Sequence, residues 1–329
     1  MRAFDYIRPV SLEEAGRRLA ETSAKAIAGG TNLLDLMKLQ VETPSAVCDI
    51  SRLDLATIAD TPDGGLFIGA LVTNTQTAVH QRVRKDYPLL ARAILAGATQ
   101  QLRNKATTGG NLCQRTRCFY FTNADQPCNK RDPGSGCGAI GGIAKLHAVL
   151  GTSEHCIATY PGDMAVAMTA LGGVVEIVGA DGHARSVPVA DFHCLPGDTP
   201  WRENVLEEGD IITAVTLPAP VGGLQTYRKV RERSSYAFAL VSVAAIVAMD
   251  DQGKIARADL AFGGLAHKPW HDPRIGDLLV GEAPSAALFD KAADLLLETA
   301  QGYGENDFKI PLARRTLRAV LEEVTGASS

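Results

Sequence analysis

Four cysteines crowd one polar stretch of this chain, and their setting indicates their chemistry. They are Cys113, Cys118, Cys128 and Cys137, and a fifth, Cys156, follows soon after, out of seven in 329 residues. A structural cysteine is usually a small buried apolar residue, whereas these stand among Arg, Asn, Lys, Asp, Pro and Gly. Soft thiolates gathered on one loop suit an iron–sulfur cluster or zinc. Because the loop has no C-x2-C pair of the zinc-ribbon kind, zinc is the second choice.

Two glycine-rich segments could hold an anionic group beside this metal site. AGGTN at 28–32 follows a short apolar run and precedes LLDLMKL. TTGGN at 107–111, within a predicted glycine turn over 99–112, comes directly before the cysteines. A strand–turn–helix junction presents free backbone N–H groups to a phosphate. Each turn alone is more often a plain connection, but two of them in one lobe indicate a dinucleotide pyrophosphate. No G-x-G-x-x-G is present, so an ordinary Rossmann site has no support.

A metal centre beside a phosphate-bearing cofactor is typical of an electron-transfer protein, and the composition excludes several other classes. The formal charge of −4 does not favour nucleic acid as a partner. No apolar run approaches the length of a membrane helix, and the N-terminus lacks the apolar core of a signal peptide. We therefore expect a soluble chain without membrane insertion or its own targeting signal. It would work in the cytoplasm, or be exported folded by a partner.

The order of the predicted elements favours an α+β fold in two domains. The first would span 1–222 and the second 223–329, where the apolar run ALVSVAAIVAM, the turn DDQG and another strand predict an antiparallel hairpin. Helices are predicted over 285–300, 311–325 and 11–19, where Ser11 as N-cap and Glu14 three residues on make a capping box. The predicted parts of the first domain are a small lobe of about 1–55, a larger lobe of about 56–222 and, within it, a cysteine loop of 113–156.

Six motifs, taken in order, resemble those of one known family. They are AGGTNLLDLMK, LRNKATTGGNL, YPGDMAVAMTAL, YRKVRERSSYAFALVSVAA, GGLAHKPW and NDFKIPLARRTL. Nearly end to end, the chain resembles the FAD-binding medium subunit of the molybdenum hydroxylases, the xanthine dehydrogenase family. The resemblance implies a two-lobed FAD-binding domain (PCMH-like), followed by a smaller α+β C-terminal domain with an antiparallel sheet and helices.

The resemblance also implies which residues hold the FAD. The first glycine loop would bind the pyrophosphate, a second segment would make a further contact, and three downstream residues would complete the site. One position departs from the family, because Pro161-Gly162-Asp163 stands where P-S-D is common, and a serine hydroxyl is lost. The implied FAD-binding residues are Lys25, Ala26, Ile27, Ala28, Gly29, Gly30, Thr31, Asn32, Leu33, Thr107, Gly110, Asn111, Asp163, Ile212 and Lys229.

The cysteine loop makes the resemblance more specific, because most medium subunits lack it. QRTRCFYF…PCNKRDPGSGC is most similar to the FAD subunit of bacterial periplasmic aldehyde oxidoreductases, and the β subunit of 4-hydroxybenzoyl-CoA reductase shares the loop. In that subclass the loop holds a [4Fe–4S] cluster beside the flavin. The family pattern, which has one ligand just before the G-D motif, implies the ligands Cys118, Cys128, Cys137 and Cys156.

The fourth ligand is contestable from the sequence. Spacing alone would choose Cys113 in place of Cys156. One geometric point supports Cys156: the chain would leave the FAD at Asn111 and return to it at Asp163, so residues near both ends of the excursion can meet.

The function that the resemblance implies is that of an oxidoreductase subunit with no catalytic residue of its own. A large molybdenum-cofactor subunit would oxidise the substrate, expected to be an aldehyde. Electrons would pass through a small [2Fe–2S] subunit to FAD in this chain, and then to an external electron acceptor. Two alternatives stay open: a 4-hydroxybenzoyl-CoA reductase type, in which electrons run inward through this subunit, and a zinc-stapled binding protein without redox chemistry.

Overall fold

The computed structural model describes residues 1–327, which form three sheets with helices packed against them. The predicted α+β class is confirmed, and the three sheets share no strand. Among the described residues, no helix is long and apolar enough to cross a membrane.

The first sheet belongs to the N-terminal lobe and is parallel, with strand order β1-β3-β2. Ser11 accepts a hydrogen bond from the Glu14 N–H at 3.1 Å and begins α1, as the sequence predicts. The glycine loop joins β2 to α2, and Gly30 in it has a φ of +70°, which favours glycine. The elements of this lobe are β1 (Asp5–Ile7), α1 (Leu12–Thr22), β2 (Lys25–Ile27), α2 (Leu33–Lys38) and β3 (Ala46–Asp49).

The second sheet is antiparallel and has five strands in the order β4-β5-β8-β6-β7. Helix α9 begins at Asp163 and is buried on all sides, because it packs between α5 and the third sheet. The elements are β4 (Ile58–Asp60), β5 (Leu66–Gly69), α3 (Asn74–Val79), α4 (Gln81–Asp86), α5 (Pro88–Ala96), α6 (Gln100–Arg103), α7 (Thr108–Leu112), α8 (Phe119–Thr122), α9 (Asp163–Ala170), β6 (Val174–Val178), β7 (Ala184–Pro188), α10 (Val189–Phe192) and β8 (Ile211–Leu217).

The segment 99–112, predicted to be a glycine turn, contains two short helices instead. Thr99 accepts a hydrogen bond from Leu102 N–H and so begins α6, and Thr107 accepts one from Gly110 N–H at 3.2 Å and begins α7. The two side-chain caps offset the low helix propensity of the glycines in so short a segment. The cysteine loop that follows has one helical turn, α8, within its described residues 113–156.

The third sheet forms the C-terminal part, with the antiparallel order β11-β10-β9. The predicted hairpin is present, and both predicted helices are present as α12 and α13. Helix α13 begins at Lys309, two residues before Pro311, because proline is tolerated in a first helical turn. The elements are β9 (Leu224–Val230), β10 (Val241–Met249), β11 (Ile255–Gly263), α11 (Pro273–Leu279), α12 (Ala286–Leu296) and α13 (Lys309–Thr325).

Candidate functional site

A large cavity, here the first cavity, lies beside the glycine loop. It measures about 670 Å³, opens to solvent and is also lined by parts of segments 106–115 and 201–210. Its size is that of a site for an extended cofactor. Eleven of the fifteen implied FAD residues line it: Lys25, Ala26, Ile27, Ala28, Gly29, Gly30, Thr31, Asn32, Leu33, Thr107 and Gly110.

A second cavity of about 430 Å³ adjoins the first, because Thr31, Asn32 and Gly110 line both. Ile212 lines neither cavity; it is buried behind α7, where a Cβ on Gly109 would lie 3.6 Å from it. Two adjoining cavities suit the two halves of a dinucleotide. The implied FAD residues that line only the second cavity are Asn111, Asp163 and Lys229.

Gly29 brings the two segments that the resemblance assigns to FAD into backbone contact. A Cβ on Gly29 would lie 1.9 Å from the carbonyl oxygen of Lys105, a separation that no side chain can occupy. A residue without a Cβ is therefore required for the close approach. The glycine loop and the segment before Thr107 are thus held against each other at the wall of the first cavity.

Asp163 and Lys229 form a buried ion pair at the second cavity. Lys229 Nζ donates to Asp163 Oδ2 at 2.8 Å, and the Tyr227 hydroxyl donates to Asp163 Oδ1 at 2.6 Å. The Lys229 and Asp163 side chains are only 4% and 9% exposed. Because each carboxylate oxygen has its own donor, the orientation of the group is fixed. Its remaining lone pairs can accept a hydrogen bond from a ligand.

The four implied cluster ligands line one enclosed cavity, which we name the cysteine cage: Cys118, Cys128, Cys137 and Cys156. The backbones of Cys128 and Cys137 pair in an isolated antiparallel β-bridge. Cys113 does not line the cage; it is exposed at the first cavity. Burial raises the pKa of Cys118 to about 12 and that of Cys156 to about 11, so metal binding must release protons from these thiols.

The cage has the donor set of an iron–sulfur site, four thiols without a carboxylate. Its volume is about 10 Å³, which is about the space of one water molecule. In residues 1–327, no group of three or more His, Cys, Asp or Glu side chains stands in an arrangement that could hold a metal ion. The residue types of the cage therefore fit a cluster, but its volume is too small to hold one unless the cysteine loop moves.

One small cavity separates the cage from the second cavity. It measures about 40 Å³, and it is lined by Cys118 from the cage and by Arg117, Asp163 and Phe238, which also line the second cavity. His147 lines it too, and its Nε2 lies 3.1 Å from Cys118 Sγ. The cysteine cage and the second cavity are thus close neighbours in the fold.

Comparison with known proteins assigns the chain to a family. Residues 2–220 match the FAD binding domain in molybdopterin dehydrogenase, and residues 225–324 match the CO dehydrogenase flavoprotein C-terminal domain. The chain is 54% identical over 327 residues to the aldehyde oxidoreductase FAD-binding subunit PaoB of Escherichia coli K12, covering 98% of both chains. It belongs to the FAD-binding medium subunits of the molybdenum hydroxylases.

Two further relatives agree with this assignment. The glyceraldehyde dehydrogenase medium chain of Sulfolobus acidocaldarius is 28% identical, with 85% of this chain and 82% of that one covered. Quinoline 2-oxidoreductase from Pseudomonas putida 86 contains a chain that superposes with a TM-score of 0.74 at 26% identity, covering 99% and 98%. The family consists of oxidoreductase subunits, so the alternative of a non-redox binding protein is wrong, and FAD is confirmed as a cofactor.

The glycine of this medium subunit at position 162 is explained by a neighbouring ring. A Cβ on Gly162 would lie 2.6 Å from the hydroxyl of Tyr160. That hydroxyl donates to Asn111 O at 3.0 Å, so Tyr160 holds α7 in place. The tyrosine thus occupies the space in which a serine side chain would begin.

We expect Gly162→Ser to lower the free energy of unfolding by about 1–3 kcal/mol, as overpacking usually does. Tyr160 cannot easily move aside, because it is buried and packed against the ring of His193. Urea unfolding would measure the change. Gly222→Ser is the control, because nothing lies within 4 Å of a Cβ at Gly222. Equal midpoints for the two variants would contradict this explanation.

His193 supports the same segment from the other side. Its ring packs against that of Tyr160 at a tilt of 51°, with centroids 4.2 Å apart, and its Nε2 donates to Leu112 O at 2.8 Å. Burial lowers its pKa from 6.5 to about 4. The folded state therefore binds fewer protons than the unfolded state between these two pH values.

This difference predicts a loss of stability in acid. The contribution of His193 is fully present above pH 6.5 and is lost as the pH falls toward 4. Between pH 7 and pH 5, wild type should lose about 2 kcal/mol more than His193→Gln, which keeps an N–H donor. Urea unfolding at both pH values measures this, with the exposed His183→Gln expected to behave as wild type. Parallel losses in wild type and His193→Gln would contradict the prediction.

Several residues that lie at the site were not predicted from the sequence. Tyr227 had a signal, since it alternates with Lys229 on one strand and so shares its face. Glu203 and His193 lie in a Gly- and Pro-rich segment without a motif, so nothing local marked them. Lys130 could have been a solvated surface charge, but the structure buries it.

Proposed function

We propose that this medium subunit is the FAD- and [4Fe–4S]-carrying electron-transfer subunit of a heteromeric molybdenum-dependent aldehyde oxidoreductase. The observation that carries the proposal is the position of the cysteine cage, one small cavity away from the Asp163–Lys229 pair at the FAD cavities. In this proposal, residues 1–222 are the FAD-binding domain and residues 223–329 are the C-terminal domain.

The residues of the chain bind and orient the two cofactors. Backbone N–H groups of the glycine loop would hold the diphosphate, with Thr107, Gly110 and Asn111 as the second contact. Asp163 and Lys229 would complete the site at the other cavity, with Ile212 behind α7. Cys118, Cys128, Cys137 and Cys156 would hold the cluster. The redox chemistry itself belongs to the bound flavin and cluster.

The names of the relatives support an aldehyde as the substrate of the complex. The relative with 54% identity is a subunit of an aldehyde oxidoreductase, and that with 28% identity is a medium chain of a glyceraldehyde dehydrogenase. We extend this to the partners: a large molybdenum-cofactor subunit, a small [2Fe–2S] subunit and an external electron acceptor. The complex would work in the periplasm after co-export with a partner, or in the cytoplasm.

Anaerobic purification of the complex tests the proposal. We expect about four irons per FAD beyond those of the small subunit, and flavin reduction upon addition of an aldehyde. FAD without this additional iron would refute the cluster. A complex that reduces an acyl-CoA but does not oxidise aldehydes would instead identify the 4-hydroxybenzoyl-CoA reductase type.

A further inference from the structure

The buried ammonium group of Lys130 links the cysteine cage to other segments of the chain through three polar contacts. Its side chain is 1% exposed and lines the cage. Its Nζ lies 2.9 Å from Glu203 Oε1 and donates to Pro200 O at 2.7 Å. The third contact is to His267 Nε2 at 2.6 Å, while His267 Nδ1 bonds to Ala158 O at 3.0 Å. All three ammonium protons thus have an acceptor.

Glu203, the carboxylate that pairs with Lys130, lines the first cavity. Its second oxygen bonds to Arg115, which also bonds to Glu42 on the N-terminal lobe. The Arg115 backbone N–H donates to Asn32 Oδ1 at 2.8 Å, so the network reaches the glycine loop itself. Both cations that neutralise Glu203 therefore belong to the cysteine loop, residues 113–156.

The charges around the first cavity show why the pairing of Glu203 affects the binding of an anionic ligand. Glu42, Glu203, Glu207, Glu208 and Asp210 line it, against three cations, Lys25, Arg115 and Arg202. A cavity of that balance repels a diphosphate unless its carboxylates are paired. Four of the five are paired: Glu207 with Arg202, Asp210 with Arg185, and Glu42 and Glu203 with cations of the cysteine loop.

We propose that the Lys130–Glu203 ion pair couples the two cofactor sites, so that an ordered cysteine cage raises the affinity for FAD. When the cage loses its cluster and the loop loosens, Lys130 withdraws from Glu203, and the less neutralised carboxylate opposes the diphosphate. Because such coupling is reciprocal, bound FAD also favours retention of the cluster. This inference rests on the proposed function, since it takes the cage as the cluster site and the first cavity as the diphosphate site.

The test compares FAD affinity with and without the cluster in the full-length chain. Flavin-free protein is titrated with FAD, followed by flavin fluorescence, before and after iron is removed with a chelator. Wild type should bind FAD about tenfold more weakly without the cluster, within the usual range of coupling between sites. Glu203→Gln should bind FAD more tightly than wild type in the cluster-free form, so that its own ratio approaches one.

Glu207→Gln is the matched control, because Glu207 lines the same cavity but pairs with Arg202, outside the cysteine loop. It should keep the wild-type ratio. Since Glu203→Gln leaves Lys130 buried without a counter-charge, the double variant Lys130→Met/Glu203→Gln removes both charges together and should also show a ratio near one.

A ratio of one in wild-type protein with verified iron content would overturn the coupling and leave the proposed function intact. The coupling is also overturned if Glu203→Gln and the double variant each lower the FAD affinity of both forms by the same factor. Both variants would then keep the wild-type ratio, and the ion pair would be merely structural. A chain that binds FAD but never iron would overturn the cluster assignment as well, and iron analysis before any titration would reveal it.

Discussion

Replacing Cys156 by serine should leave the purified subunit without its cluster iron, although it still binds FAD at saturating concentration. Cys156 lines the cage with the three other cysteines, and a serine hydroxyl is a poor ligand for an iron–sulfur cluster. Cys113→Ser should keep a full complement of iron, because Cys113 lies at the first cavity instead. Iron and acid-labile sulfide per FAD, with the visible spectrum under anaerobic conditions, measure both variants.

The comparison between these two cysteines decides the ligand set. Loss of iron with Cys113→Ser and its retention with Cys156→Ser would reverse the assignment in favour of the ligands that spacing alone chooses. Zinc in place of iron in the wild-type chain would contradict the cluster while leaving the cage as a metal site. Cys118→Ser, Cys128→Ser and Cys137→Ser should each behave as Cys156→Ser does.

Replacing Gly29 by alanine should weaken FAD binding by at least about 100-fold, or about 3 kcal/mol. The added methyl group would lie 1.9 Å from the Lys105 carbonyl oxygen, and a backbone atom cannot turn aside as a side chain can. The glycine loop must then separate from the segment that begins α7, and the two halves of the proposed diphosphate site separate with it. Fluorescence titration with FAD measures the affinity.

Gly222→Ala is the matched control for this change, because a Cβ at Gly222 meets nothing within 4 Å and the position lines neither cavity. Far-UV circular dichroism of both variants shows that each retains its secondary structure. Wild-type FAD affinity in a folded Gly29→Ala protein would show that the close approach at Lys105 is not needed for the site.

Elements with a clear periodic pattern were predicted well. The apolar alternation and the DDQG turn of the C-terminal hairpin depend on neighbours in the chain, and so does the Ser11 cap of α1. The segment 99–112 was predicted wrongly, because Gly109 and Gly110 outweighed Thr107 in the pattern. Its helix α7 is stabilised by the Thr107 cap and by burial against β8, and the burial is not a local property.

Which cysteines form the cage is likewise not a local property of the sequence. Four thiols in 113–137 are obvious in the sequence, but a polar loop has no hydrophobic period to fix its path. Which cysteine completes the set depends on where the chain returns after the loop. The resemblance implied Cys156, and the structure brings Cys156 to the cage and leaves Cys113 outside it.

The residue types and their local order were enough to indicate the family, the FAD loop and a thiolate metal site, because glycine turns and clustered cysteines are short-range features. The folded chain was needed to show the cage, its position beside the second cavity and the buried network around Glu203. Arg115 and Glu203 are 88 positions apart, and Asp163 and Lys229 are 66 apart. Contacts of this kind form only when helices and sheets pack, and burial then makes each charge depend on its partner.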